Sequence, residues 1–362
     1  MHRRGVSYDV GSVMGGNWRP DYDPRIVRRE LEIIVRDLHC TAVRITGRDL
    51  GRLIDTAEAA ARLGLEVWLS PLLWDKRPRQ TLAYVTRAAV AAERVRARYP
   101  GQLVFSVGSE LTLFMQGIIP GRRLMKRLQQ MMAGDVVKSG RHNQPLNDYL
   151  ARAAAAVRQV FHGPVTYAAL IWEQVDWSIF DIVGVDHYWA ERIKDRYLDM
   201  LTPLFAFDKP VVVTEFGFPT TSAPVVSGVL AIGHIDERSF VLHRLPVVGC
   251  FVRVRLARID ERDEGVQANR LVEQLHLLDR AGVDGAFVST FIYPVRPYDD
   301  DPHYDLDRES PSLVKSYAGG KHGTTYPDMT WEPKESFKAV ADFYRQAVTT
   351  PPQPGAGTGG CT

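Results

Sequence analysis

Leu103-Val-Phe-Ser-Val-Gly-Ser-Glu110 is a short apolar run that ends on an acid. Its length and polar boundary read as a buried strand with a carboxylate at its carboxyl end. The construction recurs in Val211-Val-Val-Thr-Glu215-Phe-Gly-Phe-Pro219. Working outward from these two, six further runs complete a set of eight predicted strands, at Gly5–Tyr8, Ala42–Thr46, Glu66–Ser70, Leu103–Val107, Val165–Ala169, Ile182–Val185, Pro210–Thr214 and Gly285–Ile292. Segments of helical period separate many of them, among them Pro24–Leu38, Asp55–Leu63, Leu82–Arg98, Asn147–Val160 and Glu264–Arg280. Strands alternating with helices predict a parallel sheet, and eight such units predict an α/β fold, a single (β/α)8 TIM barrel over residues 1–348.

Such a barrel opens at the carboxyl ends of its strands, so acids at two strand ends face one pocket. Three connections are long and leave strands on that face: 111–143 after the fourth strand, 219–263 after the seventh and 294–333 after the eighth. The first carries a basic run at Arg122–Arg127, read as a solvated face. The second holds an apolar stretch, Phe240–Leu256, that reads equally as a hairpin or an oligomer contact. A last helix is expected near Lys334–Val348, and the Pro/Gly-rich residues 349–362 are expected to be a disordered tail.

Apolar residues make up 45% of the 362 and charged ones 24%, enough apolar side chain for one large core. Forty-five basic side chains stand against 43 acidic ones, a formal net charge of +2. That balance gives no electrostatic footprint for nucleic acid or an anionic membrane and directs attention to a neutral substrate. Cys40, Cys250 and Cys361 are scattered and odd in number, forming neither a disulfide framework nor a metal-type spacing. Met-His-Arg-Arg is followed by no apolar run, so a cytoplasmic location without a signal peptide is expected.

Paired carboxyl groups across a pocket suit cleavage of an acetal. One protonates the leaving oxygen while the other attacks or stabilises the oxocarbenium-like centre. Gly108-Ser-Glu110-Leu and Thr214-Glu215-Phe-Gly resemble the acid/base and nucleophile motifs of clan A retaining glycoside hydrolases, and the Gly-Ser-Glu-Leu form is most similar to the mannanase-like family 113 of that clan. The resemblance implies Glu110 as acid/base and Glu215 as nucleophile, with a carbohydrate substrate and no cofactor. It places Arg44, in Ala42-Val-Arg-Ile-Thr46, as the cation supporting the nucleophile, and His187 or Tyr188, in Val185-Asp-His-Tyr-Trp189, as its hydrogen-bond partner. For Arg44 the plainer reading is a strand-end salt bridge, and for His187 a satisfied structural histidine.

Aromatic faces pack on the C–H surface of pyranose rings, which makes Trp18, Trp74, Trp172, Trp189, Phe291 and Tyr293 candidate sugar contacts; for each alone a core role is the plainer reading. Asn17 and Asp75 offer hydroxyl contacts or, equally, helix caps. Two departures from the family bear on substrate. Ser109 replaces the asparagine that usually contacts the sugar, and Phe291 lies where relatives present a tryptophan. The acidic stretch from Tyr298 to Asp307 lacks the glycine and terminal glutamate of a calcium loop and reads as a solvated lid, so no metal site is expected. Strings such as Gly64-Leu-Glu-Val-Trp-Leu-Ser-Pro71 and Gly323-Thr-Thr-Tyr-Pro-Asp-Met329 also resemble bacterial proteins labelled abortive-infection proteins. That likeness keeps open a non-catalytic binding or defence barrel, and transfer to a sugar acceptor is a third reading.

Overall fold

The computed structural model describes residues 1–13, 16–225, 234–245, 247 and 251–349. Eight strands close into a parallel barrel in chain order: β1 (Arg3–Asp9), β2 (Ala42–Gly47), β3 (Glu66–Pro71), β4 (Leu103–Ser109), β5 (Val165–Leu170), β6 (Val183–Asp186), β7 (Val211–Phe216) and β8 (Gly285–Val288), with β8 pairing back onto β1. The (β/α)8 expectation therefore holds. Residue 349 ends the last helix, and the rest of the expected tail lies outside the described residues, as do Cys250 and Cys361.

Helices α1 (Pro24–Arg36), α2 (Leu50–Arg62) and α3 (Pro78–Arg98) fill the first three crossovers. Asp23 and Asp49 accept hydrogen bonds from the first-turn amides of α1 and α2, while Pro78 opens α3 with its φ already suited to a helix. After β4 come the short α4 (Leu111–Phe114), α5 (Leu124–Met132) and α6 (Asp135–Ser139), then α7 (Asn143–Arg158). The β5–β6 and β6–β7 crossovers hold 3-10 turns in place of α-helices among the described residues. The loop after β7 includes α8 (Glu237–His243) and leads into α9 (Glu264–Arg280). After β8, the strands β9 (Val314–Ser316) and β10 (Trp331–Pro333) pair antiparallel before α10 (Glu335–Thr349). No helix among the described residues is long and apolar enough to cross a membrane.

Alternation along the strands divides the core. Ala42, Trp68, Val104, Ile182, Val212 and Phe287 form one buried cluster, and their odd- or even-numbered neighbours such as Val43, Phe105 and Val213 join the larger cluster with the helices. Trp68 and Phe287 meet at 5.1 Å between centroids. Each such ring removes roughly 150–250 Å² from water, on the order of 4–6 kcal/mol before conformational entropy is subtracted. Gly5 makes room for them: a Cβ there would lie 2.3 Å from Phe287.

Strand eight stops at Val288, short of the expected Ile292. Beyond it the chain bonds sideways, Ser289 N–H to the Phe216 carbonyl at 2.8 Å and Phe291 N–H to that of Ser7 at 2.9 Å. These lateral bonds turn Phe291 into the core against Tyr8 and Trp331, where it is fully buried.

Candidate active site

Plain alternation would keep consecutive residues on opposite faces of a strand. The β4–β5 register shifts between Ser106 and Ser109, and Glu110 follows with φ +48°, a left-handed backbone that non-glycine residues rarely adopt. Ser109 and Glu110 thereby reach the same cluster of side chains. A second shift, between Val185 and Asp186, falls where β6 pairs with β7 through Asp186 and Glu215. Backbone irregularities thus occur at both acids, as is common where a site stores strain.

Glu215 is held on both oxygens. The Arg44 guanidinium donates to Oε1, and the Tyr188 hydroxyl donates to Oε2 at 2.7 Å. Arg44 is 1% exposed and also donates to Ser70 Oγ at 3.3 Å, while Glu215 keeps 23% of its side chain open.

Glu110 is 8% exposed and its carboxyl has no hydrogen bond or ion pair among the described residues. Burial drives its pKa well above the ordinary range, and the charges of Asp186, Glu215 and Glu173 add to that; Arg44 opposes them. Two acids therefore sit together in opposite environments.

Asp186 and Glu173 were not singled out from the sequence. Asp186 accepts from Ser109 Oγ at 3.1 Å and from Thr214 Oγ1 at 2.6 Å, and burial together with Glu215's charge pushes it up to about 7. Glu173 accepts from Thr112 N–H at 3.1 Å, Tyr167 OH at 2.9 Å and Leu170 N–H at 2.9 Å, and burial pushes it up to about 7 as well. A readable signal existed for Asp186. On β6 the apolar Val183 and Val185 face the helices, so Asp186 and Tyr188 share the inward parity and His187 does not.

The imidazole of His187 follows that parity, which corrects its expected role. It is fully buried, stacks on Tyr197 at 4.0 Å, donates its Nε2–H to the Tyr197 carbonyl at 2.8 Å, and is held neutral by burial, its pKa pushed down to about 4. Asp75 has one oxygen engaged, since the buried Arg127 guanidinium donates to its Oδ1 and to the carbonyls of Gly121 and Phe114, while the Asp75 side chain keeps 44% of its surface open. Arg127 is thus a clamp within the run read as a solvated face.

Trp18, Trp74 and Tyr293 form a continuous aromatic wall. Trp18 lies 5.1 Å from both of the others, and Trp74 stacks on Phe114 at 4.7 Å. Phe114 closes the first turn after Glu110, its N–H donating to the Glu110 carbonyl at 3.0 Å. The wall therefore rests on the turn that carries Glu110. Asn17 is exposed, with its Oδ1 taken by Arg19 N–H at 2.9 Å. Trp172 meets the edge of His142 and Trp189 packs on Phe218, both half-buried. Phe291, beneath Tyr8, offers no face to a ligand.

The acidic stretch after β8 is tied up in ion pairs: Arg262 with Asp305 and Asp307, and Lys334 with Asp307 at 2.9 Å. One group of potential metal ligands, His234, Asp260 and Glu309, lies within 4.8 Å on the loops after β7 and β8. There His234 already bonds Glu309 at 2.9 Å and Arg258 bonds Asp260 at 2.7 Å.

Together the barrel and its mouth define a fold used by glycoside hydrolases. Solved structures of that class match nearly the whole chain at low identity: a GH113 β-1,4-mannanase (15% identical, TM-score 0.56, covering 95% of this chain and 99% of that one) and the GH113 β-mannanase of Alicyclobacillus acidocaldarius (16%, 0.56, 95% and 97%). The Ruminococcus gnavus β-glucuronidase also matches (13%, TM-score 0.55), with 95% of this chain covering 50% of that one. These likenesses show the fold. No family model matches, and no curated protein matches. The likeness to abortive-infection proteins finds no support in these comparisons.

Proposed function

We propose that this protein is a retaining glycoside hydrolase acting on a β-linked glycoside or oligosaccharide whose reacting sugar is neutral, with mannosides first. The supporting observation is the opposed setting of its two acids. Glu215 is fixed on both oxygens by Arg44 and Tyr188, whereas the Glu110 carboxyl is buried without a hydrogen-bond partner among the described residues and pushed well above the usual carboxylate range.

In the first step the Glu215 carboxylate attacks the anomeric carbon while Glu110 gives its proton to the departing glycosidic oxygen, leaving a glycosyl ester on Glu215. Esterification removes the negative charge of Glu215, one of the causes raising Glu110, so Glu110 more readily stays ionised and available as the base for the second step. It then takes a proton from water, whose oxygen attacks the anomeric carbon and frees the Glu215 carboxylate. Four carboxyl groups gather here against one cation, Arg44, which disfavours a further negative charge on the reacting sugar.

Mechanism-based fluoro-sugars test the reading. The expected result is covalent label on the Glu215 peptide, with sugar products of unchanged anomeric configuration by NMR. Inverted products, or label elsewhere, overturn it.

A further inference from the structure

Beyond the aromatic wall the surface changes character. Lys76 and Arg77 follow Trp74 and Asp75 into the start of α3, where a cleft of about 510 Å³ is bordered by Lys76, Arg77 and Arg79. A second cleft shares Lys76 and Gln80 with it and extends to Arg48 and Arg87. A third shares Arg77 and Gln116 and extends to Arg122 in the loop after β4. Through these shared residues the three clefts adjoin as one groove, which begins at Asp75, the residue after Trp74 of the wall.

Its six cations, Arg48, Lys76, Arg77, Arg79, Arg87 and Arg122, have no ion pair and no side-chain hydrogen bond among the described residues. Asp75 is the one acid lining it, and Arg127 already holds that carboxylate. Some arginines elsewhere are paired, including two at the far end of the same helix, Arg96 with Glu93 and Arg98 with Glu58, while Arg94 near them carries no ion pair among the described residues. Arg79 moreover stands in the first turn of α3, which contains no acid, although that end of a helix favours negative charge. Like charges gathered along one groove repel one another, and an anion there relieves that repulsion and suits the start of α3.

We infer that this groove binds the anionic part of an extended glycan, carboxylate, sulfate or phosphate groups carried on sugars beyond the reacting one. The inference rests on the reading of Glu110 and Glu215 as a glycoside-cleaving pair. It gives the substrate two unlike parts, a neutral ring at the carboxyl cluster and a charged extension over α3. The net charge of +2 conceals this division, because it sums a carboxyl-rich centre with a cationic flank.

Calorimetric titration in the Glu215→Ala background tests it, with a polyuronate oligosaccharide, a sulfated dextran oligosaccharide and a neutral mannan oligosaccharide of equal length. At low salt at least one anionic probe is expected to bind about tenfold more tightly than the neutral one, with the gap closing as salt screens it. The variant Lys76→Ser/Arg77→Ser/Arg79→Ser is expected to lose that preference while melting like the parent. Arg48→Ser/Arg87→Ser/Arg122→Ser provides the same readout should the first variant fold poorly. Equal affinity for all probes, or a preference that survives both variants, overturns the inference. Tighter binding of a single-stranded DNA oligonucleotide than of either anionic glycan also overturns it, assigning the groove to nucleic acid. Fluoro-sugar labelling separates the two readings: label at Glu215 without an anionic preference removes this inference alone, and an anionic preference without label removes the proposed reaction.

Discussion

The Ser109 hydroxyl donates to Asp186 Oδ2 at 3.1 Å, tying the strand that ends at Glu110 to the strand that leads into Tyr188. Thr214 completes the tie from β7 by bonding the other oxygen of Asp186 at 2.6 Å. Ser109 is thus engaged with protein, and Asp186, when ionised, adds its charge to those acting on Glu110.

That charge gives a pH prediction with a definite sign. Ionised Asp186 raises Glu110, so Asp186→Asn lowers the pKa of Glu110. Cleavage needs Glu110 protonated, and the alkaline limb of kcat/KM therefore moves to lower pH in the variant. Ser109→Ala, which leaves the charge in place, should not reproduce that shift. An alkaline limb that stays put or moves upward in Asp186→Asn would show that Asp186 does not act on the acid.

The two donors on Glu215 differ in weight. Tyr188→Phe removes one hydrogen bond to a charged group and should cost roughly ten- to hundredfold in kcat/KM. Arg44→Met also removes the cation buried among several acids, so a loss of about a hundredfold or more is expected together with a lower melting temperature. Steady-state kinetics on an aryl glycoside check both, and a Tyr188→Phe loss exceeding that of Arg44→Met would reverse the assignment of weight.

Glu110→Gln keeps the size of the side chain and removes its proton. Glycosides with poor leaving groups should slow by about 10²–10⁴, whereas an activated aryl glycoside, which leaves without protonation, should slow far less in its first step. Equal losses across leaving groups of different basicity would take the acid role away from Glu110.

Much of this was legible in the chain. The barrel followed from eight apolar runs, Glu110 and Glu215 stood out at strand ends, and the family resemblance added Arg44 and Tyr188; the closed barrel brings Arg44, Tyr188 and Glu215 into contact. What escaped notice depends on side-chain direction or on partners distant in sequence. His187 and Asp186 exchange importance because parity on β6 turns one outward and the other inward. Asp75 looked free because its partner, Arg127, lies 52 residues away within a run that reads as surface. Phe291 looked like the end of a strand, and only lateral bonds to β1 and β7 reveal the turn that buries it. A neutral partner followed from summed charge, which cannot register six unpaired cations gathered on one groove.

The clamp at Arg127 predicts an effect on both stability and binding. Its side chain is fully buried and satisfies three backbone carbonyls as well as Asp75. Arg127→Met should cost about 3 kcal/mol or more, because it strips the carbonyls of Leu113, Gly121 and Phe114 of their donor. It should also raise KM for oligosaccharides more than it lowers kcat, because the loosened segment carries Phe114, on which Trp74 stacks. Chemical denaturation and kinetics on long and short substrates separate these effects. A stability loss with no change in KM would confine Arg127 to the fold.

The buried acids set a pH dependence of stability that runs opposite to the usual one for ion-paired carboxylates. Glu173 is pushed from 4.5 up to about 7 and Asp186 from 3.8 up to about 7, burial being the largest cause in each. A carboxyl whose pKa is higher folded than unfolded binds more protons in the native state across that window. Its stabilising contribution is complete below the unfolded pKa and is lost as pH rises through about 7. Stability is therefore expected to decline between about pH 4.5 and pH 7, and Glu173→Gln, which cannot ionise, should flatten that decline whatever its effect at low pH. Urea denaturation at a series of pH values measures the slope. If Glu173→Gln leaves the slope unchanged, Glu173 is ionised in the folded protein, and its three hydrogen-bond donors outweigh its burial.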